Sequence, residues 1–104
     1  MRMSVLHLVN ASPFESAALS RCLARAGEGD AVLLLENGVY GALTGCRFSR
    51  EVAEAAAWLD IRVLAPDLRA RGLCASSLLQ TLGQVDYDGF VELAVRHELS
   101  LTWT

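Results

Sequence analysis

Residues 29–43 read "GDAVLLLENGVYGAL". Gly29-Asp30 turns the chain, and Ala31 to Leu35 follow as an uninterrupted apolar run. Asn37-Gly38 then breaks the run. A short strand with no alternation is apolar on both faces, which is what burial beneath helices on each side requires. The run is far too short to cross a bilayer. It is therefore read as an inner strand of a parallel sheet, and the flanking segments are read against it.

Upstream, "VLHLV" (Val5–Val9) is short, apolar and β-rich, a second strand. Ser12-Pro13-Phe14-Glu15 follows, with serine at an N-cap, proline at the first helical position and glutamate at the third, the pattern of a capping box. A helix is expected from Pro13 to about Ala26, stopped by Gly27. Downstream, "VYGAL" reads as a short helical turn and Thr44–Phe48 as a loop. Val52, Ala55, Ala56 and Leu59 repeat at helical spacing, so a helix is expected over Ser49–Leu59. "IRVLA" is a strand ended by Pro66, Asp67–Gly72 a short helix and Gln84–Asp86 a short strand. Tyr87–Glu98 is a long helix with Phe90, Val91, Ala94 and Val95 on one face, and Leu99–Trp103 a terminal strand. The alternation of strand and helix specifies a single α/β domain over residues 1–104, a three-layer α/β/α arrangement with a mostly parallel sheet of about five strands.

Composition narrows the partners. Hydrophobic residues are 53% of the 104, above the usual share for a soluble domain, and the surplus suits a subunit interface. Twelve acidic against nine basic residues leave a formal charge of −3 with no basic stripe, so direct nucleic-acid binding is not expected. No signal peptide or membrane span is visible, and three widely spaced cysteines fit a reducing compartment, so a cytoplasmic location is expected. With no Cys-x-x-Cys and only His7 and His97 as further ligands, a metal site is not expected.

In parallel sheets, sites form at the carboxyl ends of strands. The candidate loops are Asn10–Ser12, Glu36–Tyr40, Ala65–Asp67 and Tyr87–Asp88. The first could hold an anion at a helix start, but it lacks the glycines of a phosphate loop and reads as a cap. Glu36-Asn37-Gly38 reads as a turn in which glycine supplies the positive φ. Asp67 reads as a helix cap, Asp86 and Asp88 as partners of the last helix dipole, and His97 as a residue of its last turn. His7, inside an apolar strand, reads as a satisfied buried histidine.

Cys22 is the candidate catalytic residue. With Leu19, Leu23 and Ala26 it falls on the apolar stripe of the first helix, where a free cysteine packs as a small hydrophobe. Chemistry there needs a thiolate, for which Arg25, three residues on, is the nearest support. Cys46 and Cys74 fall in loops with no evident partner.

Four segments in order, "LHLVNASPFES", "GDAVLLLENGVYGAL", "DLRARGL" and "VDYDGFVELAVRHE", closed by Trp103, resemble the DsrH/TusB family. The resemblance implies a DsrE/DsrF/DsrH-like fold and a subunit of a cytoplasmic sulfur-relay complex, DsrEFH or TusBCD. Two homologous sister subunits, DsrE/TusD-like and DsrF/TusC-like, would complete an α2β2γ2 heterohexamer. It would carry persulfide sulfur to a small DsrC/TusE-like acceptor protein without cofactor or metal. The main active cysteine of such complexes lies in a sister subunit, shortly after its third strand. Here that position reads Leu64-Ala65-Pro66-Asp67, without a thiol, so this chain is not expected to be the principal catalytic subunit. Members from sulfur oxidisers carry a cysteine that Cys22 matches, which implies a persulfide-bearing or redox role and points to dissimilatory sulfur oxidation. The alternative is the same complex serving tRNA wobble 2-thiouridine synthesis, with this chain purely structural. A more distant alternative is a stand-alone binding module for a small anion or nucleotide.

Overall fold

The structure is a computed structural model that describes residues 3–104. Its centre is β2 (Ala31–Leu34), buried along its whole length. It lies between β1 (Val5–Val9) and β3 (Asp60–Leu64), with β5 (Leu99–Trp103) outside β1 and β4 (Gly83–Val85) outside β3. All four pairings are parallel. The inner position of β2 accounts for its apolar run, because each face meets a helical layer.

The two layers are unequal. Val32 and Leu34 join Val9, Ile61 and Val63 on a face packed against Leu19, Cys22 and Leu23 of α1 (Ala18–Arg25), Val52 of α2 (Ser49–Ala55) and Leu68 of α3 (Ala65–Ala70). Ala31 and Leu33 join Leu6, Leu64 and Val85 on the other face, where the buried helical residue is Leu93 of α4 (Tyr87–Arg96). Three helices cover one face and one covers the other.

Several boundaries differ from expectation. The first helix begins at Ala18, not Pro13. The Ser12 hydroxyl accepts from Phe14 N at 3.2 Å, and the Ser12 carbonyl accepts from Glu15 N and Ser16 N at 3.0 Å. This local turn uses the groups a capping box would need. Ser16 Oγ then accepts from Ala18 N at 3.0 Å just ahead of the helix. α2 ends at Ala55 rather than Leu59 because the chain tightens: Ala57 N bonds Glu54 O and Trp58 N bonds Ala55 O, three residues back. α3 starts at Ala65 directly out of β3, with Pro66 inside its first turn, so Pro66 opens the helix.

The inward side of α4 also differs. Leu93 is buried, whereas Val91 and Val95 are exposed at 60% and 78%. Val85 explains the rotation, since it sits so close to Gly89 that an added Cβ would lie 2.8 Å from its side chain. That approach turns Gly89, Phe90 and Leu93 toward the sheet and leaves Tyr87, Val91 and Val95 outward. Asp86 Oδ1 accepts from Gly89 N at 2.9 Å and caps the helix.

Candidate functional site

At the carboxyl edge of the sheet the loops after β2 and β3 bond to each other. After β2 the chain enters a 3-10 segment, Glu36–Ala42. The positive φ in this turn belongs to Glu36, at 51°, not to Gly38. Gly38 is required for another reason: a Cβ there would stand 1.9 Å from the Val9 carbonyl oxygen. The Asp67 carboxylate accepts from Glu36 N, so it caps the neighbouring loop and not its own helix. Arg71 completes the junction, with Nε donating to Asn37 Oδ1 at 3.0 Å and an Nη donating to the Asp67 carbonyl at 3.1 Å. Two of the expected loops, Glu36–Tyr40 and Ala65–Asp67, are thus joined by hydrogen bonds.

Cys22 lies in the second turn of α1 with no solvent exposure. Burial, with a smaller contribution from the Asp30 carboxylate, pushes its thiol up from 9.0 to about 12. Arg25, the expected support for a thiolate, is exposed, and the charge that acts on the thiol is the opposite one. A thiol so placed stays protonated at physiological pH and is a weak nucleophile.

Asp30 also organises the amino edge. One oxygen accepts from Val5 N at 3.0 Å, and the other accepts from Gly27 N at 3.0 Å and meets His7 Nε2 at 2.9 Å. Trp103 Nε1 donates to His7 Nδ1 at 3.0 Å. An indole nitrogen can only donate, so Nδ1 accepts and Nε2 carries the proton that Asp30 receives. His7 is thus the satisfied buried histidine its apolar strand suggested, but its partners are distant in sequence and carry no motif.

The other thiols differ. Cys46 is half-buried, its sulfur 3.2 Å from Ser49 Oγ. Cys74 is exposed, with Ser76 Oγ at 3.3 Å and Ser77 Oγ at 3.7 Å, and these hydroxyls draw its pKa below the usual thiol value. The signal for this was the serine pair in "CASS", Cys74–Ser77. Among the described residues, no three His, Cys, Asp or Glu side chains cluster so as to hold a metal ion. No helix among them is long and apolar enough to cross a membrane.

An open cavity of about 370 Å³ lies at the amino edge, bordered by Ser4, Asp30, Trp58, Asp60, Arg96 and His97. It is at the opposite end of the strands from the expected loops.

The family model described as "DsrH like protein" matches residues 11–100. The chain belongs to the DsrH family. Among curated relatives of this DsrH-family chain, Protein TusB of Pectobacterium parmentieri is 36% identical over 99 residues, covering 95% of this chain and 100% of that protein. Protein TusB of Klebsiella pneumoniae (strain 342) is 38% identical over 101 residues, with the same coverage. The fold is shared with the YchN protein of E. coli (TM-score 0.81, 13% identity, 97% of this chain and 99% of that chain). It is also shared with MTH1491 of Methanobacterium thermoautotrophicum, titled a protein of unknown function (TM-score 0.74, 16% identity, 97% and 99%). The five-stranded α/β architecture expected from the sequence is thus found both in the structure and in these neighbours.

Proposed function

We propose that this chain is a subunit of a cytoplasmic sulfur-relay complex and that its part there is to assemble and support the catalytic sister rather than to carry sulfur itself. The observation that carries the reading is family similarity running through residues 11–100, nearly the whole chain. The supporting role rests on the thiols. A relay step needs a thiolate that attacks a terminal sulfane sulfur: one S–S bond forms, another breaks, and the donor leaves as a thiolate, with no net oxidation. Cys22 is packed against the sheet with its pKa at about 12, and the turn between β3 and α3 holds no thiol. On this reading Cys22 is a core thiol, and persulfide sulfur resides on a sister subunit before transfer to a small acceptor protein.

Two homologous sisters in an α2β2γ2 assembly fit the surface. The outer side of α4 presents Tyr87, Val91 and Val95 in one row, and the edge strand β5 adds exposed Leu99 and Leu101. The TusB name of the curated relatives favours tRNA wobble thiolation as the pathway. The leaning toward sulfur oxidation drew on Cys22, and its burial weakens that support.

Purification through a tag on this chain, followed by native mass spectrometry, tests the assembly. Two homologous partners in a 2:2:2 complex are expected. A chain recovered alone as a soluble monomer would contradict the reading.

A further inference from the structure

We propose that the amino-edge cavity is a binding site for a small carboxylate borne on a flat, aromatic body. Of the groups around it, the two carboxylates are already engaged. Asp30 receives two backbone N–H groups and His7, and Asp60 is gripped by Arg62 through Nε at 2.8 Å and an Nη at 3.2 Å. The groups left with capacity are of another kind. Arg96 lines the cavity with no ion-pair partner among the described residues. His97 Nδ1 lies 2.7 Å from the Leu93 carbonyl, an acceptor, so Nδ1 is the donor. Trp58 stands at the wall with half its surface in solvent.

A guanidinium fork matches a carboxylate in shape and charge, and an indole face takes a flat apolar body. The convergence of a cation, unpaired among the described residues, and an aromatic wall on one concavity sets this place apart from a surface dimple. Its volume of about 370 Å³ is sufficient for a small organic acid. The site is separate from the thiols and does not depend on the sulfur-relay reading.

The test uses phenylacetate and its uncharged counterpart phenylacetamide on the full chain, in the complex in which it purifies, with 5-fluorotryptophan incorporated. Fluorine NMR resolves Trp58, assigned by loss of its signal in Trp58→Phe, from Trp103. The Trp58 signal is expected to move saturably with phenylacetate and at least about tenfold more weakly with phenylacetamide, the amide lacking the charge-assisted bond. Arg96→Gln should abolish the phenylacetate response, while an unmoved Trp103 signal reports an intact fold. Equal responses to the two compounds, an undiminished response in Arg96→Gln, or no response at all would overturn the proposal. A Trp58 signal insensitive to both because a sister subunit covers it would likewise overturn it.

Discussion

Trp103 Nε1 donates to His7 Nδ1 across 3.0 Å, joining residues 96 positions apart, and the other nitrogen of the same ring meets Asp30 at 2.9 Å. The chain Trp103–His7–Asp30 ties the edge strand β5 through β1 to the start of β2. Inside the core such a chain stabilises only while every member is satisfied. Asp30→Ala strips partners from His7 and two backbone N–H groups, and should cost about 1–3 kcal/mol in urea unfolding for each donor left unsatisfied. Trp103→Phe orphans Nδ1 alone and should cost about 1–3 kcal/mol. Equal, small effects would show that the chain contributes little.

Glu36 and Gly38 should respond in opposite directions. Glu36 holds φ at 51°, where a side chain is strained, so Glu36→Gly should be neutral or raise stability by up to about 1 kcal/mol. Gly38→Ala forces a Cβ to 1.9 Å from the Val9 carbonyl and should cost about 3 kcal/mol or more. Paired urea midpoints check both.

The three thiols should label in the order Cys74, Cys46, Cys22. Cys74 is exposed with a lowered pKa, Cys46 is half-buried, and Cys22 is enclosed. Timed iodoacetamide labelling of the native protein, read by peptide mass spectrometry, should find Cys22 unmodified until the protein unfolds.

Cys22 also makes stability fall at alkaline pH. Its thiol sits at about 12 when folded against 9.0 ordinarily, so its contribution is whole below pH 9. As pH rises from 9 toward 12 the unfolded chain loses this proton while the folded one keeps it, and stability drops by up to about 1.4 kcal/mol per pH unit. Cys22→Ser lacks this dependence, so the stability gap between the two proteins should narrow between pH 8 and pH 10.5. A constant gap would contradict the buried, raised thiol.

Much of the fold was legible because β2 is apolar on both faces and alternation fixed the strand–helix order. What sequence spacing could not show was competition among local hydrogen bonds. Ser12 has the residue types for a capping box, yet its hydroxyl and carbonyl are used in a turn with Phe14 and Glu15, and the helix starts at Ala18. The α4 row of Val91 and Val95 has core periodicity, but close contact between Gly89 and Val85 turns Leu93 inward instead. At the site, the histidine's burial was foreseeable from its strand. Its partners Asp30 and Trp103, the Asp67–Glu36 junction and the amino-edge cavity all arise from tertiary contacts that leave no local pattern.

The most direct measurement is intact-mass analysis, subunit by subunit, of the purified complex after exposure to a sulfane-sulfur donor, with and without reductant. Reductant-labile added sulfur is expected on a sister subunit and not on this chain, unchanged by Cys22→Ser. Added sulfur on this chain that disappears in Cys22→Ser would contradict the account and make Cys22 a carrier.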